Sequence, residues 1–274
     1  MQTVHMIGDY RLLCQETEQA GKYEAYKAYT QKYPGFFEGV FKYLYCQPIE
    51  SLKSMIESVD FYKLLNIAEN NYDSGMVDYT LACAKAFSEK MHVDFDFTLF
   101  LGLELSNIGG CATPGETEGP CLYIGVDRPL DKEWVRVFVP HELLHMLRRQ
   151  GEPQENVFSR TVEEGLASNA SLWSNEMAWN VTNVAKALGV SEKQAGNLMT
   201  HTKELLNKLI SDGEKPISVE TMKEYFVMES SETELPVVGY YVGLYLTHLS
   251  VQNGVDFEGL ASMPCAEIVN MWFK

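Results

Sequence analysis

The sequence has few basic residues and no long hydrophobic run. Lysine and arginine together number 22 against 38 aspartates and glutamates, which gives a formal charge of −16 at pH 7. This balance predicts neither a nucleic-acid partner nor binding to an anionic membrane. No stretch reaches about 18 consecutive apolar residues, and no basic start precedes an apolar run, so we predict a cytoplasmic protein without a membrane anchor.

Cysteine is also scarce. None of the six cysteines belongs to a Cys-x-x-Cys pair, which argues against a thiolate zinc site and against a disulfide framework. We expect the cysteines to be reduced and mostly buried. The chain is rich in apolar side chains instead, at 46% hydrophobic and 12% aromatic over 274 residues, which is ample for the core of a globular protein.

The motif that carries chemistry is His141-Glu142-Leu143-Leu144-His145. Residues i and i+4 of a helix lie on the same face, so both imidazoles can reach a single metal ion. Glu142 points about 100° further round the helix axis and can instead reach a water molecule on the open side of the metal. Two unrelated histidines on a helical surface would show the same spacing. A third ligand is therefore needed to distinguish a metal site from that alternative.

The segment Thr161–Ser168 offers that ligand. Glu164 follows His145 by nineteen positions, which leaves room for a turn at Gly151–Pro153 and a second helix packed against the first. Glu163 is the competing carboxylate. Because adjacent helical residues point about 100° apart, only one of the two can face the metal.

The two motifs together resemble a known class of enzymes. His-Glu-x-x-His followed by Glu164-Gly165-Leu166-Ala167 resembles the gluzincin zinc metallopeptidases, in which a glutamate on the next helix is the third ligand. With the later Gly239-Tyr240-Tyr241-Val242-Gly243, the chain looks like a bacterial family of predicted zinc-dependent proteases over roughly residues 95–270. The resemblance favours Glu164 over Glu163 and implies a zincin-like fold and a peptide or protein substrate.

The expected function is hydrolysis of peptide bonds with zinc. His141, His145 and Glu164 would bind Zn²⁺ and leave a fourth position for a water molecule, which Glu142 deprotonates as general base. A site of two histidines and one carboxylate could instead hold Fe(II) in an oxygenase. The glutamate beside the first histidine favours zinc hydrolysis.

Further side chains have roles suggested by the same resemblance. Tyr240 is the candidate donor to the oxyanion that develops on the peptide carbonyl, and Tyr241 is an equally placed competitor. Where the thermolysin-like branch has an aspartate four residues after the ligand, this chain has Ser168, and Ser168 or Asn169 could orient an imidazole.

Two adjacent arginines follow the first motif. Arg148 and Arg149 could hold a substrate carboxylate, but cations in a last helical turn are equally explained by the helix dipole.

The apolar spacing predicts the fold class. It is helical up to about residue 92 and alternates from Val93 to Leu105, which predicts a half-buried strand. Cys121–Val126 is a second short strand, and by resemblance an edge strand that pairs with an extended peptide, the alternative being an ordinary internal hairpin. We expect an α+β, mostly helical, zincin-like fold with a small antiparallel sheet beside the metal helix. It would form one compact unit, 1–274, with a helical part, 1–92, and a catalytic part, 93–274.

A competing interpretation comes from residues 184–206, which look like a DNA-binding helix-turn-helix with Gly189 in the turn. Its second helix has no arginine, and a helix that binds DNA bases and phosphates needs more positive charge. The alternative is a glycine C-cap followed by a Ser191–Gln194 capping box between two structural helices. A non-catalytic, regulatory protein on a zincin-like scaffold is therefore the rival function, against which the intact Glu142 argues.

Overall fold

A computed structural model describes residues 1–105, 109–113, 119–148, 156–227 and 234–273. The chain divides into two compact units, Met1–Val135 and Arg136–Lys274. This division differs from the one predicted at residues 92 and 93. Strand β1 (Gln2–His5), within the predicted helical part, pairs with β2 (Thr98–Gly102), and this pairing keeps both segments in the first unit.

The first unit combines helices with a four-stranded sheet. The segment predicted to be helical, up to about residue 92, is divided into several shorter helices, in one case at Gly21, whose positive φ of 82° favours glycine. The helices are α1 (Ile7–Ala20), α2 (Lys22–Thr30), α3 (Pro34–Tyr43), a 3₁₀ turn (Ile49–Leu52), α4 (Lys53–Ser58), α5 (Phe61–Asp73) and α6 (Met76–Lys90). Besides β1 and β2, the strands are β3 (Gly110–Thr113) and β4 (Cys121–Gly125).

The sheet is mixed, and the predicted antiparallel sheet is wrong in this respect. The strand order is β1-β2-β4-β3. β1 runs parallel to β2 and β2 parallel to β4, while only β3 and β4 are antiparallel. The helices between β1 and β2 supply the long crossover that a parallel pair needs.

The position of β4 corrects a second prediction. β4 lies between β2 and β3 and is paired on both sides, so its backbone N–H and C=O groups are already used. It is therefore not an edge strand that could pair with an extended peptide. The alternative, an internal hairpin of β3 and β4, is the one observed.

Strand β2 is shorter and more deeply buried than predicted. It covers Thr98–Gly102 rather than the whole of Val93–Leu105, and Leu99, Phe100 and Leu101 are all buried. Strands in parallel pairings are commonly covered on both faces, which removes the alternation of a half-buried strand. Phe36 from α3 stacks on Phe100 with a distance of 3.9 Å between the ring centroids.

The second unit, among its described residues, is helical in secondary structure apart from one isolated β-bridge between Asn156 and Pro216. It contains most of α7 (Lys132–Arg148), followed by α8 (Val157–Ser174), α9 (Val181–Leu188), α10 (Glu192–Thr200), α11 (Thr202–Asp212), α12 (Val219–Tyr225), α13 (Val238–Gln252), α14 (Phe257–Ser262) and α15 (Cys265–Phe273). The predicted class, α+β and mostly helical with a small sheet, is confirmed at this level. No described helix is both long and apolar enough to cross a membrane.

The segment that resembles a helix-turn-helix has the glycine C-cap and the capping box of the alternative interpretation. Gly189 ends α9 in the left-handed conformation. Ser191 and Gln194 then form a capping box at the start of α10, in which the Gln194 N–H bonds to Ser191 and the Gln194 side chain accepts from the Ser191 N–H. Val184 and Leu198 are fully buried, so this helix pair contributes its apolar side chains to the core of the second unit.

All six cysteines are free thiols, and four of them are buried, as predicted.

Candidate metal centre

Helix α7 brings the two histidines of the first motif to one face. The helix begins after Asp131, whose carboxylate accepts a hydrogen bond from the Trp134 N–H at 2.8 Å and so acts as its N-cap. The helix continues through Pro140 to both histidines. His141 and His145 lie one turn apart, with 4.8 Å between their ring centroids.

Helix α8 supplies the carboxylate and is buried along most of its length. An Asn156–Ser159 capping box begins this helix, and all residues from Thr161 to Leu172 are buried. The predicted turn at Gly151–Pro153, which precedes it, lies outside the described residues.

Glycines explain how closely α13 approaches α8. A Cβ atom on Gly165 would clash with the backbone of Gly243, and a Cβ on Gly243 would clash with the Thr161 carbonyl oxygen. The two helices therefore pack backbone against backbone at this crossing. Gly239, the first glycine of the later motif, lies against the ring of Phe226.

The three predicted ligands come together. His145 Nε2 lies 3.1 Å from His141 Nε2 and 3.1 Å from Glu164 Oε2, and His141 Nε2 lies 3.7 Å from the same oxygen. A circle through these three atoms has a radius of about 1.9 Å, which matches three vertices of a tetrahedron with bonds of about 2.05 Å to a central zinc ion. The group could hold a metal ion.

The three side chains differ in exposure. The His145 and Glu164 side chains are 4% and 5% exposed, whereas that of His141 is 16% exposed. Access from solvent is therefore on the His141 side. The ligand group is thus buried at His145 and Glu164 and half-buried at His141.

Glu164 is held as a carboxylate. Burial by itself raises the pKa of this group, but His145, Arg160 and His141 stabilise the negative charge and together bring the pKa well below its usual value. A metal ligand has to be deprotonated, so Glu164 is in the form that binding requires.

The competing carboxylate, Glu163, points elsewhere. Its Oε1 accepts a hydrogen bond from Arg148 Nε at 2.8 Å and one from the Cys265 thiol at 3.2 Å. Burial, followed by the charge of Glu163, raises the pKa of Cys265 to about 12, so its thiol remains protonated. Of the two carboxylates, Glu164 is the one that lies with the two histidines.

Arg148 therefore does not hold a substrate carboxylate. Its side chain is only 6% exposed and is engaged by Glu163. Its two Nη atoms donate to the carbonyl oxygens of Ala261 and Met263 and to the Cys265 sulfur. Arg148 therefore connects α7 to α8, to α14 and to the start of α15. Its neighbour Arg149 lies outside the described residues.

The two candidate tyrosines lie in different surroundings. The Tyr240 ring is parallel to that of His141 with 6.4 Å between the centroids, and the negative charge of Glu164 acts on its hydroxyl. The hydroxyl of Tyr241 pairs with that of Thr202 instead. Of the two, only Tyr240 lies at the site.

The predicted base also lies at the site. Burial and the negative charge of Glu164 raise the pKa of Tyr240 well above its usual value, and Glu142 adds to this effect. Glu142 follows His141 on α7 and is half-buried.

Ser168 and Asn169 follow Glu164 on helix α8. Ser168 is fully buried, and its hydroxyl has no hydrogen-bond partner within the described part of the chain, so it does not orient an imidazole. The role suggested for Asn169, which is also buried, stays a prediction.

One residue at the site was missed from the sequence. Arg160 Nη2 lies 3.1 Å from Glu164 Oε1. Arg160 and Glu164 are four residues apart, and residues at this spacing are neighbours on one face of a helix. Such pairs are common on ordinary helix surfaces, so the spacing alone does not assign Arg160 to the site.

Comparisons with known proteins add no relative. No protein-family model, no curated protein and no solved structure matches this chain.

Proposed function

We propose that this chain is a zinc-dependent peptidase of the gluzincin type, with His141, His145 and Glu164 as metal ligands. The observation that carries the proposal is the convergence of two imidazole Nε2 atoms and one carboxylate oxygen at distances suited to a tetrahedral ion. A zincin-like fold is part of the proposal.

Zinc at this place would make a bound water molecule more acidic and would polarise the carbonyl of the substrate. Glu142 takes a proton from the attacking water as its oxygen forms a bond to the carbonyl carbon. When the carbon–nitrogen bond breaks, Glu142 gives that proton to the leaving amine. One water molecule is consumed, and the products are a carboxylate and an amine.

Tyr240 stabilises the negative charge that develops on the carbonyl oxygen. Its burial and its acidic neighbours keep the hydroxyl protonated, so it remains a donor. A fixed donor in a site with little water is worth more than the same group in bulk solvent. Tyr240 is well suited to this role because its ring lies beside His141 on the more exposed side of the ligand group.

The presence of Glu142 distinguishes hydrolysis from the iron alternative. A site of two histidines and a carboxylate binds Fe(II) in oxygenases, but dioxygen chemistry does not need a general base at this position. Hydrolysis does need one, since water is a poor nucleophile until it loses a proton.

The test is digestion of a mixed peptide library by zinc-reconstituted protein, with cleavage products identified by mass spectrometry. We expect new amino and carboxyl ends with zinc, loss of cleavage with a chelator, and recovery when zinc is returned. If zinc-saturated protein cleaves no peptide bond in the library, the peptidase assignment is wrong.

A further inference from the structure

The two oxygens of Glu164 have different partners. Oε2 faces both imidazoles, at 3.1 Å from His145 Nε2 and 3.7 Å from His141 Nε2. Oε1 lies 3.1 Å from Arg160 Nη2, on the preceding turn of the same helix. The carboxylate is thus divided between a metal-facing oxygen and an arginine-facing oxygen.

Arg160 is itself held in place. Its guanidinium lies over the ring of Phe226, 5.3 Å from the centroid. Phe226 is buried and packs against the backbone of Gly239, where a Cβ atom would clash with the ring. The arginine is therefore fixed between an aromatic face and a carboxylate, which restricts its motion and strengthens a charge-assisted hydrogen bond.

A carboxylate can bind a metal through one oxygen or through both. Two-oxygen binding would occupy an additional coordination position on the side that a water molecule and a substrate carbonyl have to share. A cation on Oε1 opposes this, because the oxygen would have to leave Arg160 to approach the metal.

We propose that Arg160 is a positioning residue that restricts Glu164 to metal binding through Oε2 alone. The inference rests on the proposed metal site and adds to it the residue that keeps the coordination sphere open. Arg160 acts through Glu164 and does not itself contact the metal.

The experiment compares wild type with Arg160→Gln, without any substrate. Zinc affinity is measured by competition with a chromophoric chelator, and zinc coordination by X-ray absorption. We expect affinity to fall about 10–100-fold, as is typical when an outer-shell partner of a ligand is lost. We also expect a second, longer zinc–oxygen distance in the variant, from Oε1. Arg160→Lys keeps a cation opposite Oε1 and should restore single-oxygen coordination.

The matched control is Lys208→Gln. Lys208 also combines an ion pair, to Glu224 Oε1 at 2.6 Å, with a position over an aromatic ring, that of Tyr225. Lys208→Gln removes the same charge from the same unit, and the ring that Lys208 covers, Tyr225, is next to Phe226 in sequence. Neither Lys208 nor Glu224 belongs to the metal-ligand group. We expect wild-type zinc affinity and coordination in this variant.

Several results would overturn the inference. Wild-type affinity and coordination in Arg160→Gln would show that Arg160 does not position Glu164, and so would a loss of metal-free stability with unchanged coordination. In a separate peptide-binding measurement on the same two proteins, weaker binding only of peptides that have a free C-terminal carboxylate, with unchanged zinc coordination, would assign Arg160 to substrate recognition. A wild-type protein that binds no zinc would overturn the proposed function together with this inference, whereas the other results leave the proposed function intact.

Discussion

Gly165 and Gly243 are in direct backbone contact where α8 crosses α13. A Cβ atom on either residue would overlap the backbone of the opposite helix. Glu164 immediately precedes one of these glycines, and Tyr240 lies one helical turn before the other. The contact therefore sets how far the tyrosine hydroxyl lies from the ligand carboxylate, and it gives a physical reason for glycine in both motifs.

Gly243→Ala should destabilise the second unit. The added methyl group has no space against the Thr161 carbonyl and Gly165, and overpacking of this kind costs about 1–3 kcal/mol in the free energy of unfolding. Gly196→Ala is the control, because a Cβ atom there meets nothing within 4 Å. It should be neutral or stabilising by up to about 1 kcal/mol through helix propensity. Urea unfolding of the metal-free proteins measures both, and equal stability of Gly243→Ala and wild type would refute the close-packing argument.

Glu164→Gln and Glu163→Gln should affect zinc binding very differently. The first removes a charged ligand oxygen and should weaken zinc affinity by more than the roughly 10–100-fold typical of an outer-shell change. The second alters the pairing with Arg148 and should change affinity less than tenfold, with its main effect on stability. Chelator competition measures both constants, and the reverse order would identify Glu163 as the ligand.

Glu142→Gln should bind zinc normally and lose turnover. The amide keeps the size of the side chain but cannot accept a proton, so the loss should be about 10²–10⁴-fold in kcat. Zinc content and the rate of peptide cleavage are measured on the same preparation. Cleavage at the wild-type rate in a fully metallated variant would exclude Glu142 as the base.

Tyr240→Phe should be slow but metallated. Loss of one donor to the developing oxyanion typically costs about 10²–10³ in kcat, and the ligands are untouched. Tyr241→Phe is the matched control, since its hydroxyl bonds to Thr202 and should matter for stability rather than for rate. Steady-state kinetics distinguish them. A slow Tyr241→Phe beside a normal Tyr240→Phe would assign the role to Tyr241.

The ligand group could be predicted from the sequence because helix geometry fixes it locally. The spacing of His141 and His145 requires only that α7 be helical. The choice between Glu163 and Glu164 was harder, because it depends on the rotation of α8 about its own axis. That rotation is set by packing, including the contact of Glu163 with Arg148, which comes from another helix.

The sheet could not be predicted because its pairings join distant segments. Gln2–His5 is too short to be recognised as a strand, and only its pairing with Thr98–Gly102 reveals it. That pairing makes the sheet mixed, and the β2–β4 pairing removes the free edge expected of Cys121–Val126. Local apolar spacing shows where a strand can form, but not which strand lies beside it.

The most direct test of the central claim is anomalous scattering at the zinc absorption edge from crystals of the zinc-saturated protein. The account predicts one strong peak about 2.0–2.1 Å from His141 Nε2, His145 Nε2 and Glu164 Oε2. A zinc-saturated crystal with no anomalous peak among these three atoms would contradict it.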